Sequence, residues 1–238
     1  MLDNIAHEDV LFLDIETVPQ YNTFDEVPEN FKAHWEHKVQ ALSRNEEYNA
    51  AEAYDKAGIY AEFGKIICIS VGYLRGQSLR IKSFANDNEF VLLNEFADLL
   101  NKSYSKVDSY LCAHNGKEFD YPFIARRLLI NGIKIPAILD IASCKPWEVK
   151  HLDTMELWKF GDKKSYTSLS LLSELFGIKS PKDDIMGKDV SAVYWKEKNL
   201  NRIVTYCQKD VITLVQLFLK YKNEPLISDE NIIIVMNS

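Results

Sequence analysis

The sequence predicts an α/β protein: a mixed sheet with helices on its faces and a helical insert after the first strand. Three observations lead there. Leu11–Thr17 (Leu-Phe-Leu-Asp-Ile-Glu-Thr) is an apolar run that closes on polar residues, the pattern of a buried strand. Between residues 64 and 131 the chain passes through strand, hairpin, helix, strand and helix patterns in turn. Leu200–Lys222 then carries the longest helical periodicity, with Ile203, Cys207, Val211, Leu214 and Phe218 on one stripe.

Each element has its own signal. The first strand spans Asp9–Thr17 and Pro19 ends it. Residues 20–63 read as a polar, mostly helical insert. Pro28 suits the first turn of a helix over Glu29–Leu42, and the Ala- and Glu-rich Glu46–Tyr60 predicts a second helix stopped near Gly58. Trp35, Tyr48, Tyr54 and Tyr60 are expected to pack against the body, with a substrate-contacting flap as the sharper alternative. Gly64–Arg75 and Ser78–Phe84 form a hairpin around Gly76-Gln77. Asn88–Lys102 is helical, Asp108–Ala113 is a short buried strand, and Phe119–Asn131 is helical until Gly132. Leu152-Asp153-Thr154 opens a short helix; Thr167–Phe176 and Val190–Lys198 are helical. Ile232–Val235 in the tail, 223–238, is an edge strand or a buried contact. No repeat or linker appears from residue 64 onward, so a single domain over 1–238 is expected.

Composition narrows the function classes. The chain has 238 residues, 47% hydrophobic and 26% charged, as in ordinary globular proteins. No run reaches membrane-spanning length and no basic-then-apolar leader opens the sequence. Cys68, Cys112, Cys144 and Cys207 lie far apart without a Cys-x-x-Cys pair. They read as buried free thiols in a reducing compartment, with the cytoplasm as the default. A net charge of −7 argues against a broad basic surface for duplex nucleic acid, but leaves room for a local site whose carboxylates are neutralised by cations.

The candidate chemistry starts at Asp14 and Glu16. Two residues apart on a strand, they project to the same side. Burying two unpartnered like charges costs several kcal/mol each, so a divalent cation between them is one solution; acids at a strand's end also commonly face solvent or cap a helix. A second set is His114-Asn115 through Asp120, where a strand runs into a helix start. Asp120 there could simply balance the helix dipole, and Asn115 could be a turn residue beside Gly116. The third is Tyr206-Cys-Gln-Lys-Asp210, whose Tyr and Asp lie four apart at the edge of the apolar stripe.

Taken together, Phe12-Leu-Asp-Ile-Glu-Thr17, His114-Asn-x-x-x-Phe-Asp-Tyr-Pro-Phe-Ile-x-x-Arg127 and Tyr206-Cys-x-x-Asp210 resemble the DEDD superfamily of 3′–5′ exonucleases in its Tyr variant. The His variant would need His at the place of Thr205. The nearest likeness is to the proofreading exonuclease domain of family B DNA polymerases and the predicted stand-alone exonucleases related to it. Gly64-Lys-Ile-Ile-Cys-Ile-Ser, Ser168–Ile178 and Gly187 also recur there. The resemblance spans residues 10 to 222 and implies a ribonuclease-H-like fold with a mixed five-stranded sheet. It leaves no room for polymerase motifs, so an exonuclease without a fused polymerase is expected.

The resemblance further implies a site with two divalent cations, Mg²⁺ or Mn²⁺, held by Asp14, Glu16, Asp120 and Asp210. Asp14 would bridge both; Glu16 and Asp210 would complete the ion that activates water; Asp120 would hold the second. Ions ~4 Å apart stabilise both the attacking and leaving oxygens. Tyr206, with a reference pKa near ~10, is a poor base and would orient the water instead. Thr17 and the backbone around Ile15 to Thr17 are placed by resemblance to meet the terminal nucleotide; Asn115 and Phe119 could contact the strand near the scissile bond, Phe119 being equally a core candidate. Arg126 and Arg127 could reach phosphates, His114 would be a polar residue near the cleft, and Asp153 a supporting acid. The expected substrate is single-stranded DNA or a frayed 3′ end; an exoribonuclease and a non-catalytic nucleic-acid-binding domain of the same fold are the alternatives.

Overall fold

The computed structural model describes residues 2–42, 49–162, 166–179 and 185–235. Its centre is β1 (Val10–Pro19), in which Leu11, Phe12 and Leu13 have no exposed surface. Burial of such side chains contributes about 1.5–3 kcal/mol each, which is why an apolar run with both faces covered settles in mid-sheet. The chain continues through α1 (Glu29–Leu42), β2 (Gly64–Arg75), β3 (Ser78–Ala85), α2 (Glu89–Ser103), β4 (Tyr110–Ala113) and α3 (Asp120–Ile130). It then forms β5 (Leu152–Asp153), α4 (Thr154–Lys159), α5 (Leu169–Leu175), α6 (Val190–Trp195), α7 (Leu200–Tyr221) and β6 (Ile232–Val235).

The sheet is mixed and six-stranded, in the order β5-β4-β1-β2-β3-β6. β1 runs parallel to β4 and antiparallel to β2, and β6 lies parallel to β3 at one edge. The five strands expected become six. The tail takes the edge-strand option, and Leu152–Asp153 pairs with Cys112–Ala113 before the helix opens. A two-residue strand carries no periodicity, so the sequence showed only the helix after it.

The alternation along β1 divides two cores. Leu11, Leu13 and Ile15 face α2 and α3, in one cluster with Leu92, Phe96, Ile124 and Leu128. Val10 and Phe12 face α7, in a second cluster with Val211, Leu214 and Phe218. Phe12 meets Phe218 edge-on at 5.0 Å between ring centres, which fixes α7 against the central strand. Asp14 and Glu16, even-numbered like Phe12, therefore point to the α7 side.

The insert departs from its expected form. Helix α1 is as predicted. The second helix expected over Glu46–Tyr60 lies partly outside the described residues; its described part forms turns and a 3₁₀ segment, Tyr54–Ile59. Trp35, Val39, Ala53, Tyr54 and Ala57 make a small core of the insert's own, with Tyr60 and Phe63 beside it. Tyr48 is outside the described residues. The chain re-enters the sheet where Gly58 rests on β1: a Cβ there would lie 3.0 Å from the Val18 carbonyl carbon. Cys68, Cys112 and Cys207 are buried free thiols, whereas Cys144 is exposed, in the irregular stretch before β5. No helix among the described residues is long and apolar enough to cross a membrane.

Candidate active site

Three elements meet at the C-terminal half of β1. The pairing of β1 with β2 slips between Glu16 and Thr17, whose partners are Cys68 and Ile66. Such an irregularity re-aims side chains locally and is frequent beside functional sites. Asp14 stays partly exposed, and Glu16 is buried at 8% exposure. Helix α7 lies across this end of the strand. Its Cys207 thiol is 3.3 Å from Asp14 Oδ2 and 3.4 Å from the Asp14 carbonyl oxygen, donating to both.

Asp120 arrives from the other side. It opens α3, 4% exposed, and accepts from its own N–H and from that of Ile15. That bond lays the third carboxylate against the strand residue between Asp14 and Glu16. The junction leading to it is tight. Asn115 takes φ 64°, and a Cβ on Gly116 would fall 2.4 Å from that of Ala113. The turn is held by Asp153, whose carboxylate accepts from the N–H groups of Asn115 (2.9 Å) and Lys117 (3.1 Å). The same carboxylate caps α4 through Met155 and Glu156. Tyr121 adds a hydrogen bond from its hydroxyl to the Leu152 carbonyl at 2.9 Å.

The electrostatics are those of crowded, dry carboxylates. Asp14 is held well above the usual carboxylate range by burial, then by Asp210 and Asp120. Glu16 is raised in the same way by burial, then by Asp14 and Asp210. Asp120 is pushed up to about 7, chiefly by burial. Tyr206 is raised by burial and by Asp210, to which it is hydrogen-bonded, so its hydroxyl keeps its proton. All four carboxylates thus feel one another, and the Tyr206 hydroxyl belongs to the group.

Such a cluster fits a cation. Asp14, Glu16 and Cys207 offer ligand atoms within 4.8 Å of one another. Asn115 adds a buried side-chain oxygen with no hydrogen-bond partner. Oxygen donors of this kind suit magnesium and manganese. The site also opens to solvent: Ile15, Glu16, Thr17 and Phe119 line a groove of about 450 Å³.

Other expectations need correction. Arg127 cannot reach a phosphate. It is 4% exposed, its Nε is 2.9 Å from Glu89 Oε1, and its Nη1 donates to the Ala61 carbonyl. Arg126 remains exposed on α3. His114 is a bridge within the fold, with Nδ1 2.9 Å from Thr154 Oγ1 and Nε2 2.8 Å from the Thr167 carbonyl; burial lowers its pKa. Phe119 packs on the core and on Phe123 and also lines the groove. Cys207 is the buried thiol on the apolar stripe that the sequence shows; its contact with Asp14 has no local signal.

The sheet order and flanking helices define a ribonuclease-H-like α/β fold. Its likeness to the family B DNA polymerase from the hyperthermophilic archaeon Pyrobaculum calidifontis has a TM-score of 0.53 at 16% identity. The match covers 89% of this chain and 24% of that one, so the protein spans about a quarter of the polymerase's length. The family follows from sequence: residues 59–227 match the model for predicted 3′–5′ exonucleases related to the exonuclease domain of PolB, and the chain belongs to that family. Asp120, Tyr206 and Asp210 lie within the match, whereas Asp14 and Glu16 precede it.

Proposed function

We propose that the protein is a 3′–5′ exonuclease that hydrolyses phosphodiester bonds from the 3′ end of single-stranded DNA with two divalent cations, Mg²⁺ or Mn²⁺. The observation that carries this reading is the meeting of Asp14, Glu16, Asp120 and Asp210, with Tyr206, beside an open groove in a chain of this family. The cations supply activation of water and charge neutralisation at the phosphate. Asp14, Glu16 and Asp210 would hold one of them, and Asp14 with Asp120 would hold the other. Tyr206, kept protonated, orients the attacking water through its hydroxyl. The backbone around Ile15 and Thr17, with Asn115 and Phe119, positions the terminal nucleotide. The Asp153 clamp keeps Asn115 and Asp120 in register with β1. The whole chain acts as one domain with its 20–63 insert, in the cytoplasm.

The test is digestion of a 5′-labelled DNA oligonucleotide and its RNA counterpart with Mg²⁺ or Mn²⁺. A metal-dependent ladder shortening from the 3′ end, faster on DNA and abolished in Asp14→Ala, is expected. Binding without cutting under either metal would replace the enzyme with a nucleic-acid-binding module.

A further inference from the structure

The groove beside Glu16 has a second wall that the carboxylate site does not explain. β1 forms its floor through Ile15, Glu16 and Thr17. One wall is the insert's Tyr54–Ile59 segment, and another is α6 with the turn before it and Lys196 at its end. Gly58 seats the insert directly on Val18 and Pro19, so this wall is fixed to the end of the strand that carries Asp14 and Glu16. On a chain of net charge −7, the groove still gathers three exposed lysines: Lys56 from the insert, and Lys188 and Lys196 from the α6 side. Ile59, 56% exposed, adds an apolar surface at the insert's lip. Among the described residues, Asp55 and Glu16 are the acids in the lining.

We propose that the insert and α6 form a subsite for one nucleic-acid strand, in which Lys56, Lys188 and Lys196 contact successive phosphates upstream of the terminal nucleotide and Ile59 packs against a base. The proposal rests on the exonuclease reading and adds to it a role for the insert, which lies almost wholly outside the family match. Three ammonium groups on the two walls, set apart from the carboxylates at the end of β1, suit the phosphates of a strand whose 3′ end lies at those carboxylates. The groove's volume, about 450 Å³, is in the range of sites that enclose one small ligand, which favours a single strand over a base-paired end. Ammonium groups suit this task because they contact phosphate as point charges without reading sequence.

Binding of a short fluorescein-labelled oligo(dT), followed by anisotropy with Ca²⁺ across a salt series, tests it. Single-strand binding loses about 0.7 in the slope of log K against log salt for each phosphate contact removed. Lys56→Gln alone should therefore lower the slope by about 0.7, and the triple variant with Lys188→Gln and Lys196→Gln by about 2. Lys134→Gln, exposed away from the groove, should match wild type. All four positions are on the surface, so unchanged melting temperatures are expected to accompany these shifts. A triple variant with wild-type slope, a Lys56→Gln variant without effect, or a blunt duplex that competes as well as the single strand overturns the proposal while wild-type cutting stands. A wild type that neither binds nor cuts overturns the exonuclease reading along with it.

Discussion

Tyr206 is the residue whose chemistry is most easily mistaken. A tyrosine beside carboxylates invites the role of general base, yet burial and Asp210 push its pKa upward, so it titrates even less readily than in water. Its hydroxyl can only donate and accept hydrogen bonds. Tyr206→Phe should therefore lower kcat about 10–100-fold, the equivalent of one ~1.5–3 kcal/mol hydrogen bond to a charged group. The alkaline limb of the rate–pH profile should stay where it was. A loss as deep as that of Asp14→Ala would instead make the hydroxyl a participant in proton transfer. The spacing of Tyr206 and Asp210 was legible because helical geometry is local: four residues place two side chains on one face. The contact of Cys207 with Asp14 was not, since its partners are 193 residues apart and nothing near either one announces the other.

At the level of elements, the sequence marked Asp153 as a supporting acid without showing what it supports. Asp153 ties β5, α4 and the turn after β4 through four backbone N–H groups, two of them 36 and 38 residues away. Only its helix-capping half has a local signature. Arg127 looked like a phosphate ligand because an arginine on a helix is usually exposed. Its true partner, Glu89 at the start of α2, also accepts from the Ile66 N–H at 2.7 Å and from Asn131 at 3.0 Å. One buried ion pair thus joins α2, α3, β2 and, through the Ala61 carbonyl, the end of the insert. Arg127→Met would strand the Glu89 charge and should cost about 3–5 kcal/mol in urea unfolding. Arg126→Met, exposed one residue earlier, should stay within about 0.5 kcal/mol. Equal effects would mean that the pair is not a structural tie. The insert's second helix failed for a related reason: Ala and Glu favour helix intrinsically, but seating Gly58 on β1 and closing the Tyr54 core favour tighter turns.

For the whole molecule, the carboxylate cluster couples stability to pH and metal. Asp14, Glu16 and Asp120 have folded-state pKa values above their unfolded ones, Asp120 near 7. Through these groups the folded state holds more protons than the unfolded chain between about pH 4 and 7, and their contribution to stability falls as pH rises through that window. In chelator, the wild-type melting temperature should fall relative to that of Asp120→Asn from pH 5 to pH 8, at roughly 2–4 °C per kcal/mol for a chain of this size. Mn²⁺ at ~100 times its Kd should restore about 2.7 kcal/mol. The gap between chelator and Mn²⁺ should be wider at pH 8, where carboxylates no longer need to shed protons. Differential scanning calorimetry at the two pH values decides; a gap independent of pH would mean the cation binds elsewhere. The large-scale features were readable locally: the first strand from its apolar run, the hairpin from its Gly76-Gln77 turn, and the long last helix from its hydrophobic period.

β1 is the earliest strand among the described residues and lies mid-sheet, yet its partners β2 and β4 follow only after the insert and after α2, and the helix that covers it is α7. A ribosome must therefore deliver the chain from β1 through α7 before Asp14 and Asp210 can meet, and closing so long a loop is slow. The cluster is assembled late, once the scaffold around it exists. A nascent fragment lacking α7 has no means of completing it.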